Sequence, residues 1–225
     1  MKNKIPAKFS VEKARLIQLE LSKKIIKKDM FSKEIEYVAG VDVAYTDEMA
    51  IGAVAVLDFS SLSRVEVKTA VVESRFPYIP TLLSFRELHP VLSAIKKLKR
   101  SPDVYLVDGH GLAHPYRLGF ASHLGLIVRK PTIGVAKNIL CGRMEEIPKK
   151  VGDFSFIRDE GEVIGAALLT KEKGRPVYIS IGHMISLETA VEIVKKCVRK
   201  NRIPEPIKAA HLAANELKRK LIRKH

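Results

Sequence analysis

Residues 37–76 read YVAGVDVAYTDEMAIGAVAVLDFSSLSRVEVKTAVVESRF, and this segment indicates how the chain is built. It contains three strand-like runs, at Tyr37–Tyr45, Ala50–Phe59 and Arg64–Phe76. The short polar segment Thr46-Asp47-Glu48 joins the first two runs, which predicts an antiparallel hairpin. The third run alternates apolar and polar residues, as a strand with one buried face does.

Helices and further strands are predicted on both sides of this segment. Ser10 fits the N-cap of a helix of about twenty residues, and a second helix, from Thr81 to Lys99, is expected to break or kink near Pro90. The apolar stripe of the first helix consists of Ala14, Ile17, Leu21 and Ile25. The remaining predicted elements are strands at Asp103–Val107, Thr132–Val135, Phe154–Asp159, Glu162–Thr170 and Val177–Ile181, a helix at Gly119–Val128, and two final helices that begin at Ser186 and at Pro204-Glu205-Pro206.

The order of these elements predicts an α/β fold. Three antiparallel strands followed by alternating helices and strands favour a mixed sheet with helices on both faces. This order resembles the ribonuclease H-like fold, in which the first strand lies centrally beside the fourth. No internal repeat, low-complexity tract or linker is visible, so residues 1–225 are expected to form a single domain.

The composition favours a polyanionic partner. Forty Lys and Arg against 25 Asp and Glu give a formal net charge of +15, which is typical of proteins that bind nucleic acid. Contact with a ribosome or an anionic membrane surface would require the same balance. The longest apolar stretch, Ile51 to Leu57, is too short to span a bilayer. Only two cysteines occur and no secretory signal is visible, so a cytoplasmic protein is expected.

Two aspartates stand out as candidate metal ligands. Asp42 lies in the apolar run Val38–Ala44, where an unpaired buried carboxylate would be costly; an exposed strand face or a charged sheet edge is the alternative. Asp108 ends an apolar strand and enters a glycine-rich turn, where open α/β sheets bind ligands, although it also suits a simple turn. If the first and fourth strands are neighbours, both carboxylates share one crevice and repel unless a divalent cation lies between them.

Three further residues carry weaker signals, and several enzyme classes lack their motifs. By itself, Glu87 is compatible with a solvated position on a helix. Lys137 is compatible with a general basic surface, and His211 with a buried core histidine. The histidines at 110, 114 and 123 show no zinc-enzyme spacing, and no Walker A loop, dinucleotide fingerprint or acyl-transfer triad is present. Oxygen ligands favour Mg²⁺ or Mn²⁺.

Eight short strings, in order and with suitable spacing, resemble the endonuclease V family. The resemblance runs from about residue 10 to about residue 220. The strings are Tyr37-Val38-Ala39-Gly40-Val41-Asp42, Phe76-Pro77-Tyr78-Ile79-Pro80, Phe85-Arg86-Glu87, Val107-Asp108-Gly109-His110-Gly111, Ala113-His114-Pro115, Leu118-Gly119-Phe120-Ala121-Ser122-His123, Pro131-Thr132-Ile133-Gly134-Val135-Ala136-Lys137, and Arg202-Ile203-Pro204-Glu205-Pro206 followed by His211.

This resemblance implies a metal-dependent endonuclease that acts in DNA repair. The family recognises inosine in DNA, and in some members RNA, and hydrolyses the second phosphodiester bond on the 3′ side, leaving 3′-hydroxyl and 5′-phosphate ends. By the same resemblance Asp42 and Asp108 bind Mg²⁺, for which Mn²⁺ can substitute, and Glu87 completes the acidic cluster. Lys137 contacts the scissile phosphate, and His211 lies beside the metal and helps to place water.

The resemblance also implies where the damaged base is recognised. Pro77, Tyr78, Ile79 and Pro80 form a wedge that fills the gap when the base swings out. The residues that shape the base pocket are Leu83, Gly109, Gly111, His114 and Phe120. His110 departs from the family, in which an amide residue is more common at that position, so the fine chemistry of the pocket stays open.

Three alternative functions remain for comparison. An inosine-specific endoribonuclease would use the same chemistry on RNA, and nothing in the sequence distinguishes acceptance of a 2′-hydroxyl from rejection. A non-catalytic nucleic-acid-binding module has no need of three carboxylates, and a junction resolvase has no need of the Pro-Tyr-Ile-Pro wedge. The expected partner is DNA containing deoxyinosine, with RNA a second possibility, no membrane, and a monomeric protein.

Overall fold

The computed structural model describes residues 10–31, 34–74 and 76–223. The helices are α1 (Val11–Ser22), α2 (Leu83–Ile95), α3 (Phe120–Val128), α4 (Leu187–Cys197) and α5 (Glu205–Ile222). The strands are β1 (Tyr37–Tyr45), β2 (Met49–Asp58), β3 (Arg64–Glu73), β4 (Val104–Asp108), β5 (Thr132–Ala136), β6 (Arg143–Met144), β7 (Phe154–Asp159), β8 (Glu162–Leu168) and β9 (Val177–His183).

All of these strands form one mixed sheet in the order β3-β2-β1-β4-β5-β9-β8-β7-β6. The first three strands are an antiparallel meander, as the sequence predicts. Strand β1 then pairs in parallel with β4, and β4 pairs in parallel with β5. Strand β9 returns antiparallel to β5 and starts the second half of the sheet. The predicted mixed α/β sheet, with the first strand central beside the fourth, is therefore confirmed.

The helices cover both faces of the sheet because alternate strand residues point to opposite sides. On one face, Ala39 and Val41 of β1 share a buried cluster with Val91 of α2 and Leu124 of α3. On the other face, Val38 packs in a cluster that includes residues of α4 and α5. The central strands are buried on both sides, which explains their nearly continuous apolar sequence.

Helix α1 differs from its prediction in length and in the face it buries. Ser10 is the N-cap, and its hydroxyl accepts a hydrogen bond from the Lys13 N–H. The helix has 12 residues instead of about twenty, because the chain leaves it to pair with the end of β9, where the Met184 N–H donates to the Ile26 carbonyl at 2.8 Å. The predicted apolar stripe is wrong at Ile17, whose exposed fraction is 47%; the buried positions are Ala14 and Gln18.

In the middle of the chain the structure corrects the predicted helix break and adds one strand that was not predicted. Helix α2 runs without a break through Pro90. It packs closely on β2 there, since a Cβ atom on Gly52 would lie 2.2 Å from the Pro90 carbonyl oxygen, and this packing offsets the lost backbone hydrogen bond. The short strand β6 was not predicted, because two residues carry no periodic pattern.

Within the described ranges, every helix is too short or too polar to traverse a bilayer.

Candidate active site

The parallel pairing of β1 and β4 brings Asp42 and Asp108 to neighbouring positions. The last paired residues are Val41 and Val107, and each is followed directly by an aspartate. Asp42 is 9% exposed, so the alternative of a charge on an exposed strand face is wrong. Burial and then the negative charge of Asp108 raise the pKa of Asp42, while the hydrogen bond from His211 lowers it.

Glu87 on α2 belongs to the same electrostatic environment. Its side chain is buried, with an exposed fraction of 8%, which excludes the solvated-helix interpretation. Burial, followed by the charges of Asp42 and Asp108, raises the pKa of Glu87 well above its usual range. Carboxylates placed so that their charges raise the pKa of Asp42 and of Glu87 are a costly arrangement unless a cation neutralises them.

Two basic side chains already contact this group of carboxylates. The Lys137 ammonium lies 2.5 Å from Asp108 Oδ2. His211 Nδ1 donates to Asp42 Oδ2 at 2.8 Å, because the carboxylate can only accept. Across the part of the chain that the structure describes, no three His, Cys, Asp or Glu side chains stand in a ready-made metal geometry. The carboxylates are thus held by the chain's own donors.

The position of His211 depends on a close contact between α5 and β1. A Cβ atom on Gly40 would lie 1.9 Å from the carbonyl carbon and oxygen of Pro206, so only glycine lets the helix approach this near. One turn further along α5, His211 reaches Asp42. The His211 side chain is 52% exposed, so the interpretation as a core histidine is wrong.

Sequence reasoning missed two residues that support the site. The Tyr45 hydroxyl donates to Glu87 Oε1 at 3.5 Å, and the guanidinium of Arg86 lies 3.9 Å from the centre of the Tyr45 ring. Arg202 Nη2 donates to the Lys137 carbonyl oxygen at 2.6 Å and so fixes the backbone of that lysine. Arg202 lies within a family-like string, whereas Tyr45 carries no sequence signal beyond its place at the end of β1.

The segment Pro77-Tyr78-Ile79-Pro80 forms a surface loop between β3 and α2. Tyr78 is 66% exposed, so its ring is not packed in the core. The Leu82 N–H donates to the Ile79 carbonyl at 3.0 Å, which closes the loop as a turn. Leu83, the first residue of α2, is half-buried just behind it.

The two glycines assigned to the base pocket lie in different surroundings. A Cβ atom on Gly109 would meet only the ring and Cβ of Phe120, at 3.5 Å or more. The Gly111 N–H donates to Ser180 Oγ at 2.8 Å, and a Cβ there would lie 2.1 Å from the Ile181 carbonyl oxygen. Glycine at position 111 is therefore required by the approach of β9.

Burial makes three histidines of this region difficult to protonate. His114 is 3% exposed; its Nε2 donates to the Thr81 carbonyl at 3.0 Å, and its Nδ1 accepts from the Tyr116 N–H at 3.1 Å. Burial lowers the pKa of His110, of His114 and of His123 to about 4. His110 Nδ1 has no hydrogen-bond partner among the described residues. His114 thus connects the start of α2 with the loop before α3.

The order of the strands, with two aspartates directly after the last paired residues of β1 and β4, fits an α/β protein with the ribonuclease H-like fold that the sequence predicts. Comparison with known proteins then gives the family. The family model described as Endonuclease V matches residues 19–212. The chain belongs to the Endonuclease V family.

Individual relatives agree over nearly the whole chain. Endonuclease V of Rippkaea orientalis is 48% identical over 220 residues, which cover 95% of this chain and 96% of the relative. The crystal structure of Endonuclease V from Streptomyces avermitilis has a TM-score of 0.89 at 36% identity, with 99% and 100% of the two chains covered. Ciona intestinalis Endonuclease V, solved in complex with a 24mer DNA containing an inosine followed by a ribo-adenosine, has a TM-score of 0.83 at 34% identity, with 94% and 98% covered.

Proposed function

We propose that this protein is a repair endonuclease that recognises inosine in DNA and hydrolyses the second phosphodiester bond on its 3′ side. The observation that carries this proposal is that Asp42 and Asp108 directly follow the last paired residues of β1 and β4 and both raise the pKa of Glu87 on α2, with Lys137 on Asp108. The inosine-containing DNA bound by the Ciona intestinalis relative supports the choice of substrate. The formal charge of +15 provides backbone affinity for such a polyanion.

Asp42, Asp108 and Glu87 are proposed to hold Mg²⁺, for which Mn²⁺ can substitute. Their oxygens are the donors that these hard cations prefer, and their mutual repulsion is the cost that a divalent cation removes. When bound, the metal supplies an activated water and stabilises the charge that develops on the phosphate.

Lys137 and His211 are proposed to act on the substrate side of the carboxylates. The Lys137 side chain is 45% exposed, so its ammonium can turn from Asp108 to a phosphate oxygen of bound DNA. His211 Nδ1 donates to Asp42 Oδ2, and its Nε2 lies 3.2 Å from the amide nitrogen of Asn215. From this position beside Asp42, His211 is proposed to help place the attacking water.

Recognition of the damaged base is assigned to the wedge Pro77, Tyr78, Ile79 and Pro80. An exposed aromatic ring between two prolines has little conformational entropy left to lose on binding. Extrusion of the base costs a few kcal/mol, and least at a weak pair. The pocket residues are proposed to be Leu83, Gly109, Gly111, His114 and Phe120; a Cβ atom on Gly109 would lie 3.5 Å from the Phe120 ring.

The test uses matched DNA and RNA oligonucleotides, each with one inosine, in Mg²⁺ or EDTA. We expect cleavage of the DNA at the second bond on the 3′ side, in Mg²⁺ only. Asp42→Asn and Asp108→Asn should each abolish cleavage and retain binding, since most affinity comes from Lys and Arg on the backbone. Near-native cleavage by either variant contradicts the metal assignment, and preferential cutting of the RNA favours the endoribonuclease. We further propose that the enzyme is a monomer and that it is cytoplasmic; the second point is supported by the two free thiols, Cys141 and Cys197, which suit a reducing compartment.

A further inference from the structure

Helix α1 buries an amide instead of its apolar residues. Gln18 is completely buried, and Ala14 is the other buried position of the helix. The apolar side chains Leu16, Ile17 and Leu19 are between 44% and 61% exposed. Since hydrophobic burial along α1 is small, the helix depends on Gln18 for its attachment to the rest of the protein.

The amide of Gln18 joins two loops that lie far apart in sequence. Its Nε2 donates to the Thr81 carbonyl at 2.8 Å and to the Leu118 carbonyl at 3.2 Å. Two carbonyl acceptors fix which end of the amide carries the nitrogen. The Thr81 carbonyl also accepts from His114 Nε2 at 3.0 Å, so three segments of the chain meet at this one oxygen.

Thr81 is held in a conformation that it would not adopt alone. Its φ angle is +70°, in the left-handed region that a β-branched residue disfavours. Its Oγ1 and the Oε1 of Gln18 are buried without a hydrogen-bond partner among the described residues. Such strain and unsatisfied polar atoms persist where the surroundings over-determine a functional geometry.

The two loops joined by Gln18 are those assigned to recognition of the base. Thr81 directly follows the wedge loop 77–80, and Leu118 lies two residues before Phe120. The guanidinium of Arg15, also on α1, lies 5.6 Å from the centre of the Tyr116 ring in the second loop. Helix α1 therefore fixes the spacing between wedge and pocket.

We propose that Gln18 is a positioning residue for lesion recognition, which holds the Tyr78 loop at a set distance from the base pocket before DNA binds. This inference rests on the proposed function. Pre-organisation of the two loops avoids an ordering cost on binding, so Gln18 contributes to discrimination of inosine and leaves the hydrolytic step unchanged.

The test compares Gln18→Met, which keeps the volume and removes both hydrogen bonds, with Ser10→Ala. The second variant destabilises the same helix by removing its N-cap, eight residues before Gln18. Affinities for an inosine duplex and for a matched undamaged duplex are measured in EDTA, and the single-turnover rate is measured at saturating enzyme in Mg²⁺. Gln18→Met should lower the ratio of the two affinities about five-fold or more and keep the saturated rate within about two-fold. Ser10→Ala should keep the ratio.

An unchanged ratio in Gln18→Met, an equal loss in Ser10→Ala, or a saturated rate that falls as far as the affinity would each overturn the proposal. If Gln18→Met does not fold, Gln18→Asn takes its place with the same expectations, because its amide is one methylene too short to reach both carbonyls. Wild-type protein without preference for inosine would contradict the proposed function itself, and this outcome is distinct from a failure of the Gln18 variants.

Discussion

The substitution Glu87→Gln tests whether the buried carboxylates form a site that binds a divalent cation. Glu87 is 8% exposed, and its pKa is raised first by burial and then by Asp42 and Asp108. A carboxyl group whose pKa is higher in the folded state binds its proton more tightly there, so stability falls as the pH rises from 4.5 to the folded pKa. The loss is about 1.4 kcal/mol for each unit by which the folded pKa exceeds the unfolded one.

Glutamine has the same shape and no charge, so the variant should be more stable than the wild type in EDTA at pH 8. A chain of this size gains roughly 2–4 °C in Tm for each kcal/mol, which gives about 3–6 °C per pKa unit removed. Mg²⁺ should act in the opposite sense. At about 100 times its Kd it adds about 2.7 kcal/mol to a protein that binds it only when folded, or roughly 5–11 °C, and the variant should lose most of this gain.

Thermal unfolding of both proteins in EDTA and across a Mg²⁺ titration measures the two effects. Glu172→Gln is the matched control, because Glu172 is exposed and should leave both the EDTA and the Mg²⁺ curves unchanged. A Glu87→Gln protein that is less stable than the wild type in EDTA, or that gains as much from Mg²⁺, would refute the reasoning.

Three other outcomes are expected. Lys137→Ala should slow single-turnover cleavage more than it weakens binding, and equal losses would make the lysine a general backbone contact. Tyr78→Ala should weaken binding about five- to hundred-fold with little change in Tm, whereas Tyr78→Phe should lose little; a large drop in Tm would show a core role. Because burial lowers the pKa of His114 and His123 to about 4, the unfolded chain takes up their protons first, and stability should fall as the pH drops from about 6.5 to 4, by about 1.4 kcal/mol per pH unit for each. Denaturant unfolding in the Glu87→Gln background, which lacks one of the two raised carboxyl titrations and keeps that of Asp42, measures this slope, and a flat profile contradicts it.

Much of the sheet and part of the site follow from the sequence because their signals are local. The turn at 46–48 and the periodicity of the flanking runs specify the hairpin within a few residues. Asp42 is conspicuous because an acidic residue inside an apolar strand needs compensation wherever the strand lies. Gly109 likewise predicts a turn, because glycine adopts backbone conformations that other residues avoid. The prolines on either side of Tyr78 predict a stiff loop, because proline fixes its own φ angle.

The tertiary structure decided which distant residues meet. His211 donates to Asp42 across 169 positions of the chain, and Lys137 reaches Asp108 across 29. Neither pairing leaves a local pattern in the sequence. The first depends on how α5 packs on β1, and the second on how β4 pairs with β5. Both are set by the free energy of the whole fold.

Helix α1 is the clearest case in which a local sequence pattern does not identify the buried residues. Its sequence predicts that Ile17 is buried, yet the structure buries Gln18 and leaves Ile17 half exposed. Periodicity identifies the face of a helix that has the most apolar area. It cannot reveal that the carbonyl oxygens of Thr81 and Leu118, which are distant in sequence, accept hydrogen bonds from the Gln18 amide. The sequence alone therefore determined the described strands other than β6, their order and the candidate acidic residues. Only packing at long range determined which side chains meet those carboxylates.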